Sequence, residues 1–427
     1  MTTFLDKLKR IFLNKSLRNK ILFVLGVLVV YRFLSHVPVP GIPTDKLAAF
    51  FNSNQLLNLI SVFSGSGLSS LSIIMLGVGP YITASIIIQL MTMIFPKLKE
   101  MQQEGGAEGR RKFTQYSRML TVPLAIIQAF SYIILLQRSG VIPSNIPAFQ
   151  MMTNVSIIVA GSILVMWLGE LATEFGIGNG ISTIIFAGIV SRLPQMIAQV
   201  QSSILDSSQL PAVIGAVVLA LVVIYFVVVV TEAERPIPVT YTKQMRGASS
   251  QGGSGVATYL PLRLNQAGVI PIIFAISILV FPQMLLSLVK NSKYAWINTT
   301  AAGVDAFMQN TWFYAGAYFV LVVLFTFFYT SVTFDPKSIS ENLQKNGAFI
   351  SGIRPGESTM QYLSHVVTRI TLVGAVFLGL IAVLPVIVHA ITGIQALTIG
   401  GTALLIVVSV VMDMIKKVSA QLSMEEY

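Results

Sequence analysis

Charge is scarce in this chain. It has 28 Lys and Arg and 17 Asp and Glu among 427 residues, 11% in all, where an aqueous domain carries about a quarter. Cysteine is absent altogether, so disulfides and thiolate metal sites are excluded. No Walker-type loop, metal-ligating cluster or nucleophile constellation is present, so neither a cofactor nor an enzymatic activity is expected, and any work must be driven from outside the chain. What remains is apolar. Hydrophobic residues make up 54% of the sequence and the mean hydropathy is +0.77, a composition suited to lipid as solvent.

A membrane helix needs about 20 mostly apolar residues to cross roughly 30 Å of hydrocarbon. Ten such segments are predicted, at 20–37, 72–95, 115–137, 151–172, 180–200, 211–231, 265–289, 312–333, 368–389 and 397–415. With an even number of spans both termini share a side, and Lys and Arg can be counted against loop parity. One side holds twenty: six at the N-terminus as far as Lys20, five after span two, four after span six, three after span eight and two at the end. The other side holds Lys46, Arg138, Lys290 and Lys293. The positive-inside rule therefore predicts cytosolic termini. The basic start FLDKLKRIFLNKSL reads as a surface-lying amphipathic helix rather than a signal peptide. SHVPVPGIP offers no small-residue cleavage site, and further spans follow.

Two segments resemble each other. Gly77-Val-Gly-Pro80-Tyr-Ile82-Thr-Ala84 and Gly268-Val-Ile-Pro271-Ile-Ile273-Phe-Ala275 lie five spans apart. An odd separation turns one copy upside down in the membrane, the inverted-repeat plan of many transport proteins. The expected domains are an N-terminal half, 1–205, with spans one to five, and a C-terminal half, 206–427, with spans six to ten and cytosolic loops at about 232–262 and 334–367. Residues 56–72, LLNLISVFSGSGLSSLS, are apolar but too short to cross and are broken by Gly65 and Gly67. Such a segment is re-entrant or interfacial and tolerated only against protein or a water-filled cavity. The span centres are nearly bare of charge, with Glu170, Glu174, Arg192, Arg369 and Asp413 toward span ends. An ion-coupled transporter of small polar solutes would place ionisable groups near the midplane; the bare centres favour an apolar pathway.

Longer motifs identify a family. Met166-Trp-Leu-Gly-Glu170, Gly176-Ile-Gly-Asn-Gly-Ile-Ser182, Asn342 to Phe349, Gly352-Ile-Arg-Pro-Gly-Glu357 and Gly400 to Ile406 together resemble the SecY family of bacterial protein-conducting channels, and the resemblance runs from about Leu17 to Asp413. It implies an all-α, ten-span protein of two inverted halves around an hourglass pore that passes unfolded polypeptides across the bacterial plasma (inner) membrane. Apolar segments leave sideways between spans two and seven. The pore ring is expected at Val78, Ile82, Ile181, Ile185, Ile273 and Ile406, with Val78 replacing the usual isoleucine. The plug corresponds to Phe63, Ser64, Gly65, Ser66, Gly67 and Leu68. The lateral gate corresponds to Thr83, Gln89, Asn265 and Phe281. Implied partners are the SecE and SecG subunits, the SecA ATPase motor, the ribosome, secretory precursors with their signal sequences, and membrane lipids. Docking is expected at Arg354, Lys243 and Arg246, although the loop holding the last two has only those two charges and a Gly/Ser tract. The competing readings are an inverted-repeat secondary transporter of a small solute and an insertase without a through-pore.

Overall fold

The computed structural model describes residues 13–41, 71–103, 105–138, 140–143, 146–194, 198, 210–241, 258–289, 303, 310–392 and 400–425. Helices dominate. In chain order they are α1 (Lys15–Leu34), α2 (Gly79–Ile94), α3 (Pro96–Gln103), α4 (Gly106–Arg138), α5 (Ala148–Phe175), α6 (Gly180–Val190), α7 (Leu210–Glu232), α8 (Ile270–Val289), α9 (Thr311–Thr333), α10 (Pro336–Lys345), α11 (Glu357–Thr392) and α12 (Gly400–Glu425). Every predicted span overlaps one of them. By length and composition, four helical stretches among the described residues can cross a membrane: Arg111–Gln137, Ala148–Phe175, Thr311–Lys345 and Glu357–Val388. Gly180–Val190, Val217–Glu232 and Ile270–Leu279 are apolar but shorter.

Local chemistry sets the helix starts. Asn14, Asn179 and Asn310 each turn a side-chain oxygen onto two backbone N–H groups of the following turn, at 2.9–3.3 Å. An Asn cap of this kind contributes about 1 kcal/mol. Asp335 caps α10 through the Lys337 N–H, with Pro336 next to it. The second and seventh predicted spans begin later than their apolar runs. Residues 71–78 form a buried stack of turns, and α2 starts only at Gly79; α8 starts at Ile270 rather than 265. Both starts follow one rule. Pro80 and Pro271 have no N–H to give and fit the first helical turn, and three residues earlier Gly77 and Gly268 take positive φ, 54° and 63°, which glycine accepts without strain. The sequence repeat is thus also a repeat of backbone: Ile82 N donates to Val78 O at 3.0 Å, as Ile273 N does to Val269 O at 3.3 Å.

The all-α expectation needs one correction. The segments predicted as loops after spans six and eight fold into a three-stranded antiparallel sheet, β1 (Glu234–Tyr241), β2 (Thr258–Arg263) and β3 (Ala348–Ile350), in the order β2-β1-β3. Period-two burial accounts for it. Ile237 and Val239 of β1 point inward, meet Leu262, Ala348 and Ile350, and cover Leu363, Val366 and Val367 on the first turns of α11. Helix α11 accordingly begins at Glu357, eleven residues ahead of the predicted span. At 36 residues and 1.5 Å each, about 54 Å, it outreaches a hydrocarbon layer of roughly 30 Å.

The main core draws on α1, α2, α5–α9, α11 and α12. A second cluster joins α4 and α5 to the turn stack through Val39, Leu71, Met75 and Leu76. The outside is apolar as well: Leu22, Val29 and Phe33 on α1 and Ile214, Leu221 and Tyr225 on α7 are exposed. A helix apolar all round is one surrounded by protein and lipid.

Candidate functional site: an aliphatic cluster between two helix starts

All six predicted ring residues fall in one contiguous apolar cluster. Val78, Ile185 and Ile406 are almost completely buried within it, and Ile82, Ile181 and Ile273 pack against it half-buried. Four parts of the chain supply them. Val78 and Ile82 stack one turn apart at the start of α2, Ile181 and Ile185 stand at i and i+4 on α6, Ile273 comes from α8 and Ile406 from α12. None of the six side chains carries a polar atom. These six side chains can exclude water and offer no ligand to an ion.

The motifs that identified the family build this arrangement. Helices α5 and α6 approach so closely that a side chain at Gly180 would overlap the Gly169 carbonyl, and a Cβ on Gly169 would stand 2.9 Å from Ile181 Cγ1. Thr173 bridges them, its hydroxyl donating to Gly169 O at 2.8 Å and accepting from Gly180 N at 2.8 Å. The two glycine motifs thus hold α6, and with it Ile181 and Ile185, against α5. Beside them Glu170 receives the Arg118 guanidinium of α4 at 2.6 Å.

Helix α2 packs directly on α8, so the seam predicted as the lateral gate is in contact. Among the described residues the side-chain oxygens of its polar members do not bridge it. Thr83 donates to Gly79 O of its own helix at 3.0 Å, and the buried oxygens Gln89 Oε1 and Asn265 Oδ1 accept no hydrogen bond. Phe281 lies on α8, with its side chain outside the described residues. Asn265 belongs to the lead-in turn before α8, where it lines a cavity of about 280 Å³ with Asn179, Thr183, Tyr329, Ser409 and Lys417. This recess, where α6 and α8 begin and α7 and α9 end beside the middle of α12, was not foreseen. Its residues come from β2, α6, α7, α8, α9 and α12, and no local pattern links them.

The plug residues Phe63 to Leu68, with Lys243 and Arg246, lie outside the described residues. Arg354 is exposed on a pinned loop. Its carbonyl accepts from Thr359 Oγ at 2.9 Å, and the Gly356 carbonyl accepts from Ser340 Oγ at 2.6 Å. Both hydroxyl residues are buried, so the loop hangs from the same platform as the sheet.

Comparison with known proteins agrees with the geometry. The SecY family profile matches residues 72–415. A protein translocase subunit SecY from Mycobacterium tuberculosis is 40% identical, the match covering 100% of this chain and 99% of the relative. The Pseudomonas aeruginosa subunit is 43% identical over 95% of this chain and 91% of its own length. A solved SecY structure, described as one whose plug domain stabilises the closed state of the translocation channel and maintains a membrane seal, superposes with a TM-score of 0.67. It is 19% identical and covers 95% of this chain and 93% of that one. The chain belongs to the SecY family.

Proposed function

We propose that the chain is the polypeptide-conducting subunit of a secretory translocase, with its pore closed at the aliphatic cluster and its side exit between α2 and α8. The observation that carries this reading is that Val78, Ile82, Ile181, Ile185, Ile273 and Ile406, aliphatic side chains drawn from both halves of the chain, all belong to or pack against one hydrophobic core. Such a set seals by dewetting yet makes no demand on the sequence of what passes. As a member of this family the chain is a translocase subunit and not an enzyme. Energy comes from a partner, the SecA motor or a translating ribosome, docking at the pinned Arg354 loop and the neighbouring sheet, with SecE and SecG as companion subunits. Ten crossings with both termini cytosolic are in keeping with the distribution of Lys and Arg, and family membership supports a location in the bacterial plasma membrane. Halves 1–205 and 206–427 are inverted copies, each with a glycine-proline helix start at the seam. Residues 56–72 act as the plug, in keeping with the role described for the plug domain of the matched SecY structure.

Reconstituted vesicles test the function. Secretory precursor added outside should become protease-protected when SecA and ATP are both supplied, and a small solute should not be accumulated. Solute uptake driven by an ion gradient, with no precursor protected, would replace the channel by a transporter.

A further inference from the structure

The start of α2 is held from outside its own helix. Ser162 of α5 is 1% exposed, and its hydroxyl donates to the Gly77 carbonyl at 2.9 Å, a contact between residues 85 apart in sequence. Other buried hydroxyls on the membrane helices, such as Ser131, Thr121 and Thr326, bond a carbonyl four residues back in their own helix. Ser162 differs in reaching across. Immediately before it, Gly161 faces the Ile73 carbonyl so closely that any Cβ would overlap it. Two adjacent residues of α5 thus clamp both ends of the Ile73–Gly77 turn stack, one by lacking a side chain and one by a hydrogen bond. The stack is closed on its other flank, where Val39 N donates to Leu71 O at 2.9 Å and Ile73 N to Val37 O at 3.0 Å. The residue after Gly77 is Val78, whose carbonyl receives the Ile82 N–H.

We infer that Ser162 is a positioning residue for the channel ring: by fixing the Gly77 carbonyl it sets the direction in which α2 leaves the turn stack, and so the placement of Val78 and Ile82. The inference rests on the ring reading proposed above and deepens it. At the corresponding start, Gly374 of α11 stands against the Leu264 carbonyl, 2.6 Å from where its Cβ would be, as Gly161 stands against Ile73, but the residue after Gly374 is Ala375, which has no hydroxyl to offer the Gly268 carbonyl. The two starts are therefore unequal. Both starts sit on a glycine of a neighbouring helix, and the α2 start has the Ser162 hydrogen bond in addition.

The test is the ion conductance of the resting translocase complex in a planar bilayer. Ser162→Ala leaves a buried carbonyl without its donor, a loss that favours displacement of α2 by about tenfold in population. A conductance rise of that order is expected, with complex abundance unchanged. Ser162→Cys keeps the volume with a weaker donor and should fall between parent and Ser162→Ala; it carries the test should the alanine variant fail to assemble. Ser131→Ala, a loss of a buried hydroxyl of the ordinary kind, should leave conductance at the parental level. Ser162 variants no leakier than Ser131→Ala would overturn the inference. An Ile82→Ser, Ile185→Ser, Ile406→Ser triple variant separates the two levels. If it leaks while Ser162 variants do not, the ring stands and the positioning role falls; if it also stays tight, the ring reading falls and the inference with it.

Discussion

Arg354 is the residue on which partner coupling is easiest to judge. It is exposed, its loop is tied down by buried Ser340 and Thr359, and a guanidinium offers a planar fork that an ammonium does not copy. Since its side chain is not part of any core, substitution should cost within about 0.5 kcal/mol of stability. Arg354→Glu should abolish SecA-driven translocation in vesicles with subunit abundance unchanged, Arg354→Lys should retain part of the rate, and Lys337→Glu should do little. Equal, mild effects of the two charge reversals would show bulk charge rather than a specific contact. Residues were legible in the sequence where a motif carried them. The ring positions, Arg354 and the Gly77 and Gly268 pair all stood in recognisable strings. Ser162, the Arg118–Glu170 pair and the cavity around Asn265 did not, because each depends on a contact between distant parts of the chain. Gln89 and Asn265 were identified as polar members of the seam, but their buried oxygens are unpaired, a detail that side-chain chemistry alone does not determine.

Elements were legible where an apolar run was long. Each of the ten segments holds a helix, and the errors lie at the ends: α2 and α8 start late because a proline needs the first turn, and α11 starts early because its first turns carry the sheet. The sheet itself was hidden. Its strands hold Pro236, Pro238 and Pro261, residues that argue against a strand read in isolation, and only β1 shows alternation long enough to notice. One consequence separates a sheet from two independent loops. Ile237 is 2% exposed and packs among residues of both loops and α11, so Ile237→Ala should cost about 2–5 kcal/mol of local stability. Limited proteolysis should then cut near Thr258 and near Phe349 together. Cleavage confined to one of these sites would mean that the strands are not cooperative.

At the scale of the whole molecule, apolar residues both inside and outside the helix assembly, with Lys and Arg gathered at alternate connections, define how the chain lies in a bilayer. Reporter fusions after residues 45, 140, 295 and 392 should be external and those after 105, 245 and 350 cytosolic. An external reporter at 350 would invert the C-terminal half and separate Arg354 from any cytosolic motor. The central claim is that a polypeptide passes through the aliphatic cluster. Because the chain has no cysteine of its own, single cysteines at Ile82, Ile185 and Ile273 can be paired cleanly with one in a precursor stalled part-way across. Disulfides to all three ring positions, and none to cysteines at exposed Leu221 or at Ile158 in the second core, are predicted. A stalled precursor that links to Leu221 or Ile158 and to no ring position would contradict the account.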